Sequence, residues 1–382
     1  MNEISIVAGG RDDFMTVRHL VVRGDHTAIG AALAEEAHAS AGWVPAEIDP
    51  VVNRARWTWF ERNWPQQHAR MSGAAAVLGV DPDDDRYCVD GMPTLPSGSG
   101  CSAVWCPPGL STDGRGRLAR NYDLFTLSEQ ALAALATGGD PTSAGGPPMA
   151  SRPCVVTTHP EDGLASTAVT MSELDGCTEG INEAGLCVVL LLAEVVDSEP
   201  PTAPIGPQVG LNVTQVPRFL LDTCENVEQA KQALLGAKHY NQGVPCHYVV
   251  ADASGQAFVW ERGRFDTEHV LPAAEGALCA TNHLLHVHPD VNDLPPDTER
   301  SFHTYARART LAERTAAPLS AVALREALDA VAMRAVPEEP WRTMWRTVFD
   351  VADRAMSTRF YLGDGEHGLA RYSAEVTFRA TG

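Results

Sequence analysis

The sequence predicts a layered α+β protein. Three observations point there: alanine-rich segments with helical spacing early in the chain, strand-like apolar runs joined by turns later on, and no internal repeat or heptad. Strands separated by helices of mixed spacing, with several hairpins, favour stacked layers over a regular parallel sheet. At 382 residues the chain is long enough for two or three domains or one large one, and 44% hydrophobic against 20% charged residues is the balance of a folded globular chain.

Residues 27–41 and 51–78 carry apolar residues at helical spacing, so the first hundred residues are expected to be largely helical. Residues 81–85 form an acidic turn containing Pro82, and residues 91–100 hold no run of helix or strand formers, which marks a boundary at about residue 100. Residues 101–105 and 118–125 follow as two strands of a hairpin, and residues 136–153, rich in Gly, Pro, Ser, Thr and Ala, as a surface loop. Residues 187–196, 247–252 and 256–261 read as strands, the last two joined through Ala253-Ser-Gly255. Between them Asn226 caps a helix over 227–235, with Gln229 placed to close the capping box. Residues 321–336 read as an amphipathic helix. Trp341, Trp345 and Arg346 could line a partner surface, but their spacing of four favours one buried helix face, and residues 348–360 read as a return to the sheet.

Composition narrows the function. With 29 basic and 49 acidic side chains the formal net charge is −20, which argues against nucleic-acid binding by bulk electrostatics. The longest apolar run, residues 186–193, falls far short of the roughly 20 residues that span a bilayer. The opening Met1-Asn-Glu-Ile-Ser-Ile, followed by Arg11-Asp-Asp, lacks the apolar segment of a signal peptide, so the expected location is cytoplasmic, with no membrane partner. Nine cysteines without a C-x-x-C pair fit neither a disulfide framework nor a zinc ribbon. His283, His286 and His288 lack companions at ligand spacing, and Gly109-Leu-Ser111-Thr-Asp113 misses the G-x-S-x-G elbow, so neither a metal, another cofactor nor a serine nucleophile is expected.

The most informative window is Gly98-Ser-Gly100-Cys101-Ser-Ala-Val-Trp, followed by Leu118-Ala-Arg120-Asn121-Tyr122-Asp123. A cysteine that opens a strand and is faced across a hairpin by Arg and Asp has the setting of a nucleophilic thiol. The same residues also read as an ordinary ion pair beside a buried cysteine.

The window resembles the nucleophile region of N-terminal-nucleophile hydrolases of the choloylglycine hydrolase and penicillin (isopenicillin N) acyltransferase superfamily, above all its autoproteolytic branch. Gly180-Ile-Asn182-Glu183-Ala-Gly185-Leu186, Cys246-His247-Tyr-Val-Val-Ala-Asp252, Thr281-Asn282-His283 and the segment around Arg300 are similar to further motifs of that superfamily, in the same order. Gly24-Asp-His-Thr-Ala-Ile-Gly30 resembles the start of the acyltransferase precursor. The resemblance implies a four-layer αββα sandwich. It implies autocleavage between Gly100 and Cys101, with residues 1–100 as a helical pro-region or small subunit retained after cleavage and 101–382 as the catalytic unit. Cys101 would be nucleophile and, through its freed α-amine, base; Asn282 would stabilise the oxyanion, and Arg120, Asp123 and Arg300 would orient the centre. Bile-salt-type enzymes carry a second asparagine where this chain has Leu192, so one oxyanion donor stays unassigned. The implied function is hydrolysis of a linear amide of a small-molecule acyl substrate, with acyl transfer to an amine as the alternative and a non-catalytic binding or scaffold relative as the rival class. The chain's own cleaved N-terminal fragment is an expected partner, and a homo-oligomer is left open.

Overall fold

The structure, a computed structural model, describes residues 2–381 apart from 82–83, 92–99, 144, 194–206, 241–244, 264–266, 299–300 and 334–339. A nine-stranded sheet runs in the order Glu3–Gly9, Thr16–Gly24, Cys154–Pro160, Ser166–Thr170, Glu179–Asn182, Cys187–Leu192, Cys246–Ala251, Ala257–Arg262, Glu268–Pro272. A seven-stranded sheet runs Leu278–Ala280, Cys101–Cys106, Arg117–Phe125, Trp341–Asp350, Ala355–Asp364, Ala370–Tyr372, with Val376–Arg379 also paired to Ala355–Asp364.

The two sheets pack face to face, and alternation along the strands shows why. In Cys187–Leu192, residues Cys187, Val189 and Leu191 join Cys101, Ala103, Trp105 and Trp345 in the core between the sheets. Val188, Leu190 and Leu192 turn the other way and pack with Phe60, Trp64, Met71, Phe219 and Leu220 of the helical layer. On the second sheet Val104, Cys106 and Ala119 face helices Thr304–Arg314 and Ala321–Ala330 through Leu311, Leu324 and Leu328. Helix, sheet, sheet, helix is the four-layer order that the resemblance implied. The apolar run at 186–193 is continuous because this strand is buried on both faces.

The expectation of a largely helical first hundred residues is corrected at its start. Glu3–Gly9 and Thr16–Gly24 are strands, and Thr16–Gly24 lies parallel to Cys154–Pro160. Helices His26–Ala41, Pro50–Asn63 and Pro65–Leu78 follow. The first and third meet backbone to backbone: a Cβ on Gly30 would lie 2.0 Å from the Arg70 carbonyl oxygen, and one on Gly73 2.0 Å from that of Thr27. Arg70 reaches Asp222 of helix Gln215–Thr223 at 2.6 Å, so this segment is woven into the sandwich.

Later boundaries also shift. The strand expected over 187–196 ends at Leu192, and residues 194–196 lie outside the described ones. The helix expected over 321–336 is Ala321–Ala330, with 334–336 likewise outside. Trp341, Trp345 and Arg346 belong to a strand, Trp341–Asp350, instead of a helix face. A bulge between Thr343 and Trp345 breaks the alternation, so the two do not share a face: Trp341 packs on Phe125 and Phe302, whereas Trp345 stacks on Tyr122.

Candidate active site

Cys101 opens strand Cys101–Cys106, whose antiparallel register with Arg117–Phe125 sets Cys101 opposite Tyr122 and Ala103 opposite Arg120. Alternation then puts Arg120 on the inter-sheet face with Cys101, and Asp123 on the helix face with Asn121, whose amide donates to the Leu328 carbonyl.

On the inner face the Arg120 guanidinium donates to Cys101 Sγ at 3.2 Å and to Glu179 Oε2 at 2.7 Å. Glu179 accepts further from Trp345 Nε1 at 3.0 Å and from the Thr347 hydroxyl. The guanidinium lies 4.8 Å from the ring centre of Tyr122, which stacks on Trp345. Both members of the Arg120–Glu179 pair are fully buried.

On the helix face Asp123 Oδ1 accepts from Thr343 Oγ1 at 2.6 Å, its direct neighbour in strand Trp341–Asp350. Its Oδ2 is buried and has no hydrogen-bond partner among the described residues, and a Cβ on Gly100 would lie 3.4 Å from it. Burial pushes the Asp123 carboxyl up to about 7, against the opposing pull of Arg307 and the Thr343 hydroxyl.

Asn282 follows strand Leu278–Ala280, which pairs with Cys101–Cys106. Its Oδ1 accepts from the Cys101 backbone N–H at 2.9 Å and from Arg307 Nη2 at 2.7 Å, while Nδ2 donates to the Leu192 carbonyl at 2.6 Å. Thr304 Oγ1 fixes this turn by accepting from the N–H groups of Asn282 and His283, at 2.8 and 3.1 Å. An amide nitrogen carries two protons, so one remains for another acceptor. At the position where the second asparagine was missing, Leu192 contributes a carbonyl, an acceptor that orients Asn282, instead of a donor. Arg307 also donates through Nη1 to the Cys101 carbonyl at 2.5 Å and to the Ser102 hydroxyl at 2.8 Å.

The structure thus brings together Gly100, Cys101, Arg120, Asp123 and Asn282. Arg300 lies outside the described residues; among the described ones Arg307 joins Arg120 at the centre. Sequence reasoning missed Arg307, because helix Thr304–Arg314 offers several arginines and only tertiary packing selects one. It missed Glu179 as well, which Arg120 meets from 59 residues away and Trp345 and Thr347 from more than 150. Of the three histidines weighed as ligands, His286 bonds Glu261 at 2.6 Å and His283 lies 3.0 Å from the Thr281 hydroxyl. Among the described residues no group of three His, Cys, Asp or Glu is arranged to hold a metal, and no helix is long and apolar enough to cross a membrane.

A cavity of about 260 Å³ reaches Cys101. Tyr122, Leu124, Met149, Met171, Leu190 and Leu192 supply apolar wall, and part of the loop expected over 136–153 closes one side. A buried thiol with donors and acceptors on both of its flanks, at the end of an apolar cavity, is equipped for attack on a carbonyl carbon.

A family model described as acyl-coenzyme A:6-aminopenicillanic acid acyl-transferase matches residues 145–363, a span that contains Glu179, Asn282 and Arg307 and begins after Cys101. No curated protein matches the chain. Among solved structures, a mutant of the conjugated bile acid hydrolase from Clostridium perfringens is 14% identical, with 73% of this chain and 96% of that one covered and a TM-score of 0.48. Penicillin V acylase from Agrobacterium tumefaciens is 16% identical, covering 68% and 82%, with a TM-score of 0.44. The Caenorhabditis elegans ortholog of N-acylethanolamine-hydrolyzing acid amidase is 14% identical, covering 66% and 93%, with a TM-score of 0.42.

Proposed function

The chain belongs to the acyl-coenzyme A:6-aminopenicillanic acid acyl-transferase family, within the N-terminal-nucleophile enzymes, and from that premise we propose that it cleaves itself between Gly100 and Cys101 and then cleaves a linear amide through a Cys101 thioester. The observation that carries the proposal is the convergence of Arg120, Asn282 and Arg307 on the sulfur, the amide and the carbonyl of one residue, with the open Asp123 oxygen beside the preceding Gly100.

In the first reaction Sγ attacks the Gly100 carbonyl, the amide bond to Cys101 breaks, and the acyl group rests on sulfur as a thioester. Water then releases the Gly100 carboxylate and restores the thiol. Cys101 now carries an α-amine whose ordinary pKa, about 7.7–8.0, suits a general base near neutral pH. Asn282 Oδ1 already accepts from this nitrogen as an amide, and the open Asp123 Oδ2 supplies a second acceptor for the ammonium form.

In the second reaction the α-amine takes the thiol proton as sulfur attacks the substrate carbonyl. The remaining Nδ2 proton of Asn282 stabilises the oxyanion. Collapse to the thioester passes the proton to the leaving amine, and water activated by the same α-amine releases the acid. The family description supports a second reading, in which an amine takes the place of water. The N-terminal fragment stays bound in this account, since Thr16–Gly24 is hydrogen-bonded inside the sheet and Arg70 is paired with Asp222.

The test is turnover of a panel of N-acyl 4-nitroanilides, with intact-mass detection of the acyl adduct and a series of added amines. The expected result is an adduct mapped to Cys101, with free acid formed in its absence of acceptor and diverted to N-acyl product if transfer is the chemistry. Turnover that survives in Cys101→Ala would reject the nucleophile. Failure of every amine to lower the yield of acid would leave hydrolysis.

A further inference from the structure

The cavity that reaches Cys101 is apolar along much of its wall, yet two carboxylates line it, Glu173 and Glu129. Glu173 follows strand Ser166–Thr170 and is half-buried; Glu129 is the exposed first residue of helix Glu129–Ala136. Among the described residues no Arg, Lys or His forms an ion pair with Glu173. Arg70, which lines a second, small cavity together with Glu173, is bound to Asp222. Arg152 lines the same cavity, but it is exposed and its Nη1 donates to the Ser40 carbonyl at 3.1 Å. Burial raises the Glu173 pKa, its own backbone N–H and the Ser172 hydroxyl work against that, and the Glu129 carboxylate adds a smaller upward push. A carboxylate held in such a place without a cation is costly in the empty protein, and a cation arriving with the ligand relieves both the burial and the repulsion.

Resting on the reading of Cys101 given above, we infer that the amide substrate carries a cationic amine, which Glu173 receives inside the cavity while Glu129 attracts it at the rim. The apolar wall formed by Leu124, Met149, Met171 and Leu190 takes the hydrocarbon portion between that amine and the reacting carbonyl. The substrate class is therefore an amide with a primary ammonium group on an apolar stem. Glu173 is a specificity-determining residue in this account and takes no part in bond making.

The experiment compares three probes of one length, n-hexylammonium, n-hexanol and n-hexanoate, for binding to the purified full chain by titration calorimetry. A charge-assisted hydrogen bond in a half-buried site leads us to expect hexylammonium to bind about tenfold or more tightly than hexanol, with hexanoate weakest. Glu173→Gln keeps the shape and should bring hexylammonium to within about twofold of hexanol, whereas Glu129→Gln should lower its affinity only a few-fold. Equal affinities in the wild type, or a preference that survives Glu173→Gln, would overturn the inference. Alkylation of Cys101 by iodoacetamide, read by peptide mass in the same samples, checks the fold of each variant and the premise separately. An inert Cys101 rejects the nucleophile, while a labelled Cys101 with no ammonium preference rejects the inference alone.

Discussion

Between the sheets, beneath Cys101, the Glu179 carboxylate has both oxygens engaged, by Arg120 and Trp345 on one and by Thr347 on the other. On the opposite side of the same strand pair Asp123 is equally buried, yet only one of its oxygens has a partner. The first carboxylate is held by a guanidinium that also touches the sulfur. The second has high proton affinity and an oxygen to spare, so it can exchange a proton and accept a new donor. One face of the sandwich thus fixes the Cys101 thiol, and the other would leave room for the amine that the proposed cleavage creates.

Several substitutions break or sharpen this contrast. Removing the sulfur should have the largest effect: Cys101→Ala is expected to lower turnover by at least roughly 10³-fold and to abolish self-cleavage, read by steady-state kinetics and denaturing electrophoresis. On the locked side Glu179→Gln leaves the buried Arg120 charge uncompensated and should cost about 3–5 kcal/mol in urea unfolding. Asn282→Ala should reduce kcat by about 10²–10³ with little change in KM, provided the sample is correctly processed. Equal effects on both constants would assign Asn282 to binding.

The open side has a signature in pH. In the uncut chain burial raises Asp123 to about 7, against about 3.9 unfolded, and the uncleaved Cys101→Ala background should keep that shift. Between those values the folded state holds the proton more tightly, so this group makes stability fall as pH rises from about 4 through 7. Adding Asp123→Asn should flatten that decline, measured as unfolding midpoints at several pH values; an unchanged slope would show that Asp123 is not the titrating group. The smallest effect is expected from Thr343→Val, which removes one donor from Asp123 and should cost about 1–3 kcal/mol.

What could be read from the sequence follows the range of the interactions involved. The hairpin that carries Cys101, Arg120 and Asp123 is local, so its strands and the approach of these residues were legible. Strand Thr16–Gly24 was not, because its parallel partner lies more than 130 residues along the chain. Asn282 was reached through a resemblance, while its orientation by the Leu192 carbonyl and by Arg307 depends on three separate elements meeting at one point. Trp345 was assigned to a helix by spacing alone. Its place above Glu179 is set by a strand register that contains a bulge between Thr343 and Trp345, which no periodicity could reveal.

The central claim is that Cys101 becomes an N-terminal residue. Mass spectrometry of the purified chain under denaturing conditions, with sequencing of the new terminus, tests it most directly. The account predicts two fragments that co-purify, one ending at Gly100 and one beginning at Cys101 with a free α-amine, and a single uncut chain in Cys101→Ala. A catalytically active sample in which the Gly100–Cys101 bond is wholly intact would contradict it.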